Sequence, residues 1–215
     1  MSVTRLGFEN RTAPTYRAEA RWQPPAGRLP VWEGSLEDQL RLQNLAISTS
    51  ISDSARALIE TRIGEARRAG LAGLSLKVGD RAPRCKLPEA SLTDLLQRGP
   101  VVLSFYLGEW FAYCALANRA MREWLPEFEK FDAQVVLTND GRVARKFGVV
   151  MPFHQDVARI YRDLGFGVPF VETTFLPLPA TFVIDHRRVI RYAFANPDYR
   201  RRVEPSEIAD VLARL

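Results

Sequence analysis

The sequence has few of the residues that build disulfide frameworks and metal sites. It contains two cysteines, Cys85 and Cys114, and two histidines, His154 and His186. Two cysteines are too few for a disulfide framework, and a reducing compartment keeps such residues as thiols. So few thiols and imidazoles in one chain also argue against a tetrahedral structural zinc site. We therefore predict free thiols and no structural metal, and no motif predicts a cofactor.

The sequence also lacks long apolar runs. A helix that crosses a bilayer needs about 20 consecutive apolar residues, and no segment provides them. The first residues, 1–20, are polar and charged and have no apolar segment of the kind found in signal peptides. These absences predict a cytoplasmic protein without a membrane partner.

The positively charged residues are not concentrated in one part of the sequence. The formal net charge is +5, and most of the basic residues are arginines spread along the sequence. Only Arg200–Arg202 form a run, and acidic residues flank it. This pattern favours a solvated, mixed-charge surface over a nucleic-acid surface, and it predicts that the run is an exposed turn.

Residues 1–34 are predicted to form an arm rather than a domain. The prolines of the segment 23–27 remove backbone donors, and the segment has neither a helical nor a strand period. The arm also contains Phe8, Tyr16, Trp22 and Trp32, which are too apolar for a free tail. We therefore expect it to pack on the body of the protein or on a second subunit.

Residues 35–76 are predicted to be a helical extension. Ser35 with Asp38 three residues later resembles a capping box in which aspartate replaces the usual glutamate. A second helix is predicted to start at Ser52 or Asp53 and to end near Gly70, a residue suited to a left-handed cap.

From residue 77 onward the pattern becomes α/β. Residues 100–106 form a nearly continuous apolar run, which is typical of a strand buried on both faces. A helix over about 112–130, a strand over 133–138 and short helices over 142–147 and 155–164 follow. The chain then forms a hairpin across residues 186–188 and ends in a helix from about residue 205. This order predicts an α/β sandwich with a central mixed sheet.

Several separated segments resemble one family in the same order. Residues 77–83, KVGDRAP, resemble the opening of peroxiredoxins, and residues 100–115, PVVLSFYLGEWFAYCA, are similar to the core "PVVLsFYrGgWCPYCn" of one branch. That branch is the peroxiredoxin-like proteins of the alkyl hydroperoxide reductase/thiol-specific antioxidant (AhpC/TSA) family. Residues 178–185, where the family has a cis-proline loop, and residues 196–199 continue the match. The resemblance covers about residues 35–215 and implies a thioredoxin-like fold, with residues 77–215 as its main domain.

The residues that depart from the family pattern lie in the motif that carries the family's catalytic cysteines. Phe111 stands where the family has its first motif cysteine, and Cys114 corresponds to the second. The other changes are Leu107 for an arginine, Glu109 for a glycine, Ala112 for a proline and Ala115 for an asparagine. A peroxiredoxin needs a thiolate at a helix amino terminus, and phenylalanine is neither a nucleophile nor a ligand. Two-cysteine peroxidase or disulfide reductase chemistry at this motif is therefore excluded.

Three side chains remain as catalytic candidates. Cys114 is either a lone nucleophile or an inert buried thiol. Glu109 faces either solvent or a pocket in which it acts as an acid or base. His154 is either a helix-cap or surface residue, or a general base or ligand near a pocket. The residues predicted to line a small-molecule cleft, if they are not simple core packing, are Tyr106, Trp110, Phe111, Tyr113, Pro179 and Thr181.

Three functions therefore stay open from the sequence. The first is a peroxiredoxin-derived protein whose former active-site pocket binds or transforms a small molecule. The second is a thiol-dependent oxidoreductase that uses Cys114 alone. The third is a non-catalytic interaction module that uses the arm. We favour the first, because several motif residues differ together within an otherwise retained scaffold. The resemblance also implies a homodimer.

Overall fold

The computed structural model describes residues 34–168 and 174–215, and this part of the chain begins with two helices. Helix α1 covers Leu36–Ser50 and helix α2 covers Asp53–Arg68. The hydroxyl of Ser35 accepts a hydrogen bond from the backbone N–H of Asp38, and Ser52 accepts one from Ala55. Gly70 has a φ of 66° after the last turn of α2. The predicted caps are confirmed. The predicted arm, apart from Gly34, lies outside the described residues.

Six helices and six strands make up the rest of the described chain. The helices are α3 (Leu92–Leu96), α4 (Ala112–Glu123), α5 (Leu125–Glu129), α6 (Gly141–Lys146), α7 (Gln155–Asp163) and α8 (Pro205–Leu212), with a 3-10 turn at Leu71–Leu74. The strands are β1 (Val101–Phe105), β2 (Gln134–Thr138), β3 (Val150–Phe153), β4 (Thr174–Pro177), β5 (Ala180–Ile184) and β6 (Ile190–Ala195).

A mixed four-stranded sheet in the order β2-β1-β5-β6 forms the centre of the fold. Strand β1 pairs parallel with β2 and antiparallel with β5, and β5 pairs antiparallel with β6. The register places Ser104 opposite Thr181, and their hydroxyl oxygens are 3.1 Å apart. The predicted α/β class with a central mixed sheet is confirmed.

The central sheet is covered on both faces. Val101, Leu103 and Phe105 of β1 pack into the larger apolar cluster, together with residues of α1, α2, α4 and α7. Val102 points to the other face, where it joins Phe128 of α5 and side chains of α8 in a second cluster. This two-sided burial explains why β1 is apolar along almost its whole length.

Two features of the chain differ from the sequence-based expectation. Strands β3 and β4 pair antiparallel in a separate two-stranded sheet that was not predicted. The single helix expected over 112–130 is divided into α4 and α5 at Trp124, because Pro126 lies in the first turn of α5. Proline has no backbone N–H and its ring clashes with the preceding turn, so it begins a new helix rather than continuing an old one.

The helical extension packs directly on the motif region. Gln39 of α1 accepts a hydrogen bond from Arg119 of α4 at 2.6 Å. On α2, Arg62 forms an ion pair with Asp156 of α7. Residues 35–76 thus cover one side of the α/β part of the chain. The domain boundary after residue 76 stays a prediction.

Candidate functional site

The loop after β1 brings Phe111 to the amino terminus of α4. Phe111 is the residue that precedes the helix, with an extended backbone and no side-chain cap. Gly108 permits the tight loop, because a Cβ there would lie 2.2 Å from the indole nitrogen of Trp110. Phe111 therefore stands directly before the first turn of α4, as the sequence pattern predicts.

Phe111 lies at the centre of five aromatic side chains, which we call the Phe111 cluster. The ring centroids of Tyr161, Tyr113, Tyr199 and Trp110 are 4.9, 5.2, 5.3 and 5.4 Å from that of Phe111. Phe111 is 0% exposed. Edge-to-face and tilted rings at these distances are attractive. The helix terminus that would activate a thiolate is therefore filled by an apolar ring.

The tyrosines of the Phe111 cluster are held in their neutral form. Burial raises the pKa of Tyr113, Tyr161 and Tyr199 well above the usual range. The hydroxyl of Tyr113 donates to the side-chain oxygen of Asn44 at 3.1 Å, and the hydroxyls of Tyr161 and Tyr199 are 3.4 Å apart. These groups thus contribute packing and hydrogen bonds, not charge.

The remaining residues predicted to line a cleft are buried or pack beside the sheet. Thr181 is buried and shares its hydroxyl contact with Ser104, and Tyr106 is half-buried. Pro179 is buried, and no described peptide bond is cis.

Cys114 is buried in the first turn of α4. Its side chain is 0% exposed, and the Nη2 atom of Arg202 donates to its Sγ atom at 3.2 Å. The guanidinium also donates to the carbonyl oxygens of Tyr199 and Arg201. Cys85 is buried as well, and burial raises the pKa of its thiol. Both thiols are free and shielded from solvent.

Glu109 does not lie in a pocket. Its side chain is exposed at the tip of the loop before α4. The alternative in which it acts as an acid or base inside an aromatic cleft is therefore wrong, because the rings of Trp110 and Phe111 fold inward and leave the carboxylate in solvent.

A cavity of about 200 Å³ lies next to the Phe111 cluster, between α2, β3 and the loop after β6. Tyr199 forms part of its wall and also packs edge-to-face against Phe111. Phe153 forms another part and stacks on Trp110 with the ring centroids 5.7 Å apart. Its lining residues are Arg62, Ile63, Glu65, Ala66, Ala69, Leu71, Met151, Pro152, Phe153, His154, Val157, Pro197 and Tyr199.

The cavity is bordered by residues that differ from the predicted set. None of the six residues expected to line a cleft lines this cavity. The ring of Tyr199 would therefore separate a ligand bound here from Phe111. His154 does line the cavity. It occupies the cap position of α7, but its side chain makes no capping hydrogen bond. Of the three catalytic candidates, only His154 lies at a cavity that the structure describes.

The rim of the cavity carries one guanidinium group that is paired with two carboxylates. Arg62 donates to Asp156 at 2.5 and 3.0 Å and to Glu65 at 2.9 Å. Hydrogen bonds from Arg62 lower the pKa of Glu65. Partial burial works against ionisation of Asp156, but hydrogen bonds from Arg62 and the Val157 N–H outweigh it, and the pKa of Asp156 is lowered. Arg62 therefore donates to two protein carboxylates, and the three charged groups together leave one negative charge at the rim.

An ion-pair network centred on the buried carboxylate of Asp198 fixes the loop that carries Tyr199. The Asp198 carboxylate accepts from Arg67 at 2.9 Å and from Arg200 at 2.8 and 3.0 Å. Arg200 also pairs with Glu60 of α2, and its side chain is only 17% exposed. The expectation that the whole arginine run is a solvated turn is wrong for Arg200 and Arg202. These side chains turn inward to the carboxylates and to Cys114.

The described residues, 34–168 and 174–215, contain neither a membrane-spanning helix nor a metal-binding cluster. None of their helices is long and apolar enough to cross a bilayer. No group of three or more histidine, cysteine, aspartate or glutamate side chains in these ranges is arranged to hold a metal ion.

Comparison with known proteins identifies a family and a set of structural neighbours. A family model described as "AhpC/TSA family" matches residues 78–193. No curated protein sequence matches the chain. The chain is similar to the crystal structure of the peroxidoxin BcpB from Mycobacterium tuberculosis, with 22% identity over 65% of this chain and 98% of that one and a TM-score of 0.46. It is also similar to Mycobacterium tuberculosis AhpC, with 19% identity over 65% and 92% of the two chains and a TM-score of 0.43.

Proposed function

The chain belongs to the AhpC/TSA family, and from this membership we propose that it is a peroxiredoxin-derived protein that binds a small molecule and does not reduce peroxides. One observation carries the proposal. The ring of Phe111 occupies the helix terminus that a peroxidatic thiolate requires, and four aromatic side chains enclose it. The position of Phe111 therefore offers a peroxide neither a nucleophile to attack it nor space to enter.

The neighbouring cavity supplies the binding site in this proposal. A cavity of about 200 Å³ is smaller than the pockets of drug-sized ligands, which begin at about 300 Å³. An apolar cavity of about 150 Å³ is known to admit benzene. The site therefore suits a molecule with one ring, or an equivalent branched chain, and a short substituent.

The walls and the rim indicate the chemistry of the ligand. Ile63, Leu71, Met151 and Val157 make the walls apolar. The guanidinium of Arg62 is already paired with two carboxylates, and the negative charge that remains at the rim disfavours an anionic ligand. A compact, mainly apolar and uncharged molecule fits these surroundings, with one polar group directed toward His154.

Ligand binding is tested with small aromatic probes and a cavity-filling variant. We expect benzyl alcohol to shift backbone amide NMR signals of residues around the cavity, with a dissociation constant on the order of 1 mM. Benzoate and benzylamine should bind at least about tenfold more weakly, because each brings a charge to apolar walls. Ala66→Leu places a larger side chain in the cavity and should abolish the shifts.

Ala57→Leu is the matched control, because Ala57 is exposed on the same helix and does not line the cavity. It should bind benzyl alcohol as the parent chain does. The proposed site would be refuted if the probe leaves the cavity residues unshifted, or if the Ala66 and Ala57 variants bind equally well.

The contact between Arg202 and Cys114 favours a second candidate, a thiol-dependent oxidoreductase that uses Cys114 alone. Because the side chain of Cys114 is 0% exposed, we nevertheless expect its thiol to be unreactive in the native chain. Iodoacetamide should label Cys114 in the native chain at least about a hundredfold more slowly than in urea, since labelling needs local opening. Native and Cys114→Ala chains should also show no peroxide consumption with a dithiol reductant. Rapid labelling, or turnover that disappears in Cys114→Ala, would establish the second candidate instead.

The assembly and location of the protein belong to the same proposal. We propose a homodimer in the cytoplasm, by analogy with the family and because both cysteines are free. Size-exclusion chromatography with light scattering tests the dimer, and an elution mass of one chain at all concentrations would contradict it.

A further inference from the structure

A second concave surface lies on the other side of the central sheet from the Phe111 cluster, between α5 and α8. We call it the acidic groove. Its volume is about 420 Å³. Trp124 and Ala209, which belong to it, pack against the second apolar cluster and not against the cluster that contains Phe111. The lining residues are Glu123, Trp124, Pro126, Glu127, Ser206, Ala209 and Asp210.

The acidic groove combines an aromatic ring with three carboxylates. Glu127 is paired with Lys130 at 2.6 Å, and Glu123 has only a long contact of 3.7 Å with Arg119. Asp210 makes no ion pair with another described residue. A tryptophan face binds proline rings and guanidinium groups, and neighbouring carboxylates favour cationic side chains. This chemistry fits a segment that contains both proline and arginine.

Residues 1–33 join the described structure at Gly34, beside this groove. The carbonyl oxygen of Gly34 accepts from Gln39, Gln39 accepts from Arg119, and Arg119 contacts Glu123 in the groove. On the other side, the backbone N–H groups of α1 donate to Glu204, which directly precedes α8.

The distance from this junction to the groove is short. Asp210 follows Glu204 by six residues along α8, which is a rise of about 9 Å. A few extended residues before Gly34 span that distance, at roughly 3.3 Å each.

We infer that the acidic groove binds residues 21–33 of this same chain. Their sequence is RWQPPAGRLPVWE, in which Arg21 and Arg28 flank Pro24 and Pro25. The arginines complement the carboxylates, and the prolines complement the ring of Trp124. Because the segment is tethered at Gly34, its effective concentration at the groove is in the millimolar range, so even weak contacts keep it bound. The inference does not depend on the proposed ligand cavity.

Limited digestion of the full chain with trypsin tests this inference. The arm offers five arginines, of which Arg21 and Arg28 lie within the segment and Arg5, Arg11 and Arg17 lie before it. Cleavage after Arg21 and Arg28 should be at least about tenfold slower than after the other three, because proteolysis follows the population of the undocked state. Equal rates at all five sites would overturn the inference.

Charge-neutralising variants show whether the groove provides the protection. In the triple variant Glu123→Gln, Glu127→Gln, Asp210→Asn, cleavage after Arg21 and Arg28 should reach the rate measured at Arg11. The triple variant Glu89→Gln, Glu109→Gln, Glu129→Gln is the matched control, since these carboxylates are exposed and lie outside the groove. It should keep the protection, and protection that survives in the first variant as well would rule out the groove.

Dilution separates binding within one chain from exchange between two chains. Protection that is unchanged across a dilution series supports docking within one chain. Protection that disappears on dilution would assign the segment to the groove of a second copy and would overturn the inference.

Discussion

The Phe111→Ala variant should lose about 3–5 kcal/mol of unfolding free energy, the range measured for removal of a large buried aromatic ring. The ring is 0% exposed and contacts four other aromatic side chains, so its removal leaves a void in the middle of the Phe111 cluster. The helices around it cannot fully close this void, because α1 and α7 are each anchored elsewhere by hydrogen bonds. Urea unfolding followed by circular dichroism measures the loss.

Phe175→Ala is the matched control for this experiment. Phe175 lies in β4 and is 49% exposed, so the same truncation there should cost about 1 kcal/mol or less. If the two variants lose similar amounts of unfolding free energy, Phe111 is not the centre of a packed cluster. In that case the helix terminus is accessible, and the argument against peroxide chemistry at this position fails.

Local sequence signals predicted much of the fold correctly. Ser35, Ser52 and Gly70 act as helix signals through contacts within one turn, and all three are found where they were expected. The apolar run around β1 was equally informative, because a strand covered on both faces has no polar positions. Strand β3 was missed because it is only four residues long and contains Pro152, which removes a ladder donor.

The site was only partly predictable from the sequence. The motif alignment identified Phe111, since the loop and helix that present it are continuous in the chain. The cavity beside it is lined by residues of α2, the 3-10 turn, β3, α7 and the loop after β6, so no single sequence window contains it. The inward turn of Arg200 was missed for a similar reason. Its partner Glu60 is 140 residues away, and only the folded chain brings the two charges together.

The Phe111 cluster, the cavity beside it and the ion-pair network of Asp198 are connected through one loop. Tyr199 packs edge-to-face against Phe111 on one side and forms part of the cavity wall on the other. The preceding residue, Asp198, attaches the same loop to α2 through Arg67. A change in the network should therefore reach both the stability of the fold and the shape of the cavity.

The Asp198→Asn variant is expected to lower the unfolding free energy by about 3 kcal/mol or more at neutral pH. The carboxylate is 5% exposed and pairs with two guanidinium groups. Without its charge, Arg200, which is only 17% exposed, keeps Glu60 as its one ionic partner, and the half-exposed Arg67 loses its pair. Asp53→Asn is the matched control. The side chain of Asp53 is 95% exposed, and its contact with Arg56 is an ordinary surface pair, so the expected loss is about 0.5 kcal/mol or less.

The dependence of stability on pH gives Asp198→Asn a signature that a packing defect alone would not produce. Burial opposes ionisation of Asp198, but hydrogen bonds and charges from Arg200, together with the charge of Arg67, outweigh it and lower its pKa. A carboxylate whose pKa is lower in the folded chain stabilises the fold above the unfolded value of about 3.9, and this contribution is lost as the pH falls through the folded value. The parent chain should therefore lose stability in acid more steeply than Asp198→Asn, and the difference between them should shrink as the pH falls below about 4. A difference that stays constant across that range would mean that Asp198 acts through its shape and not through its charge.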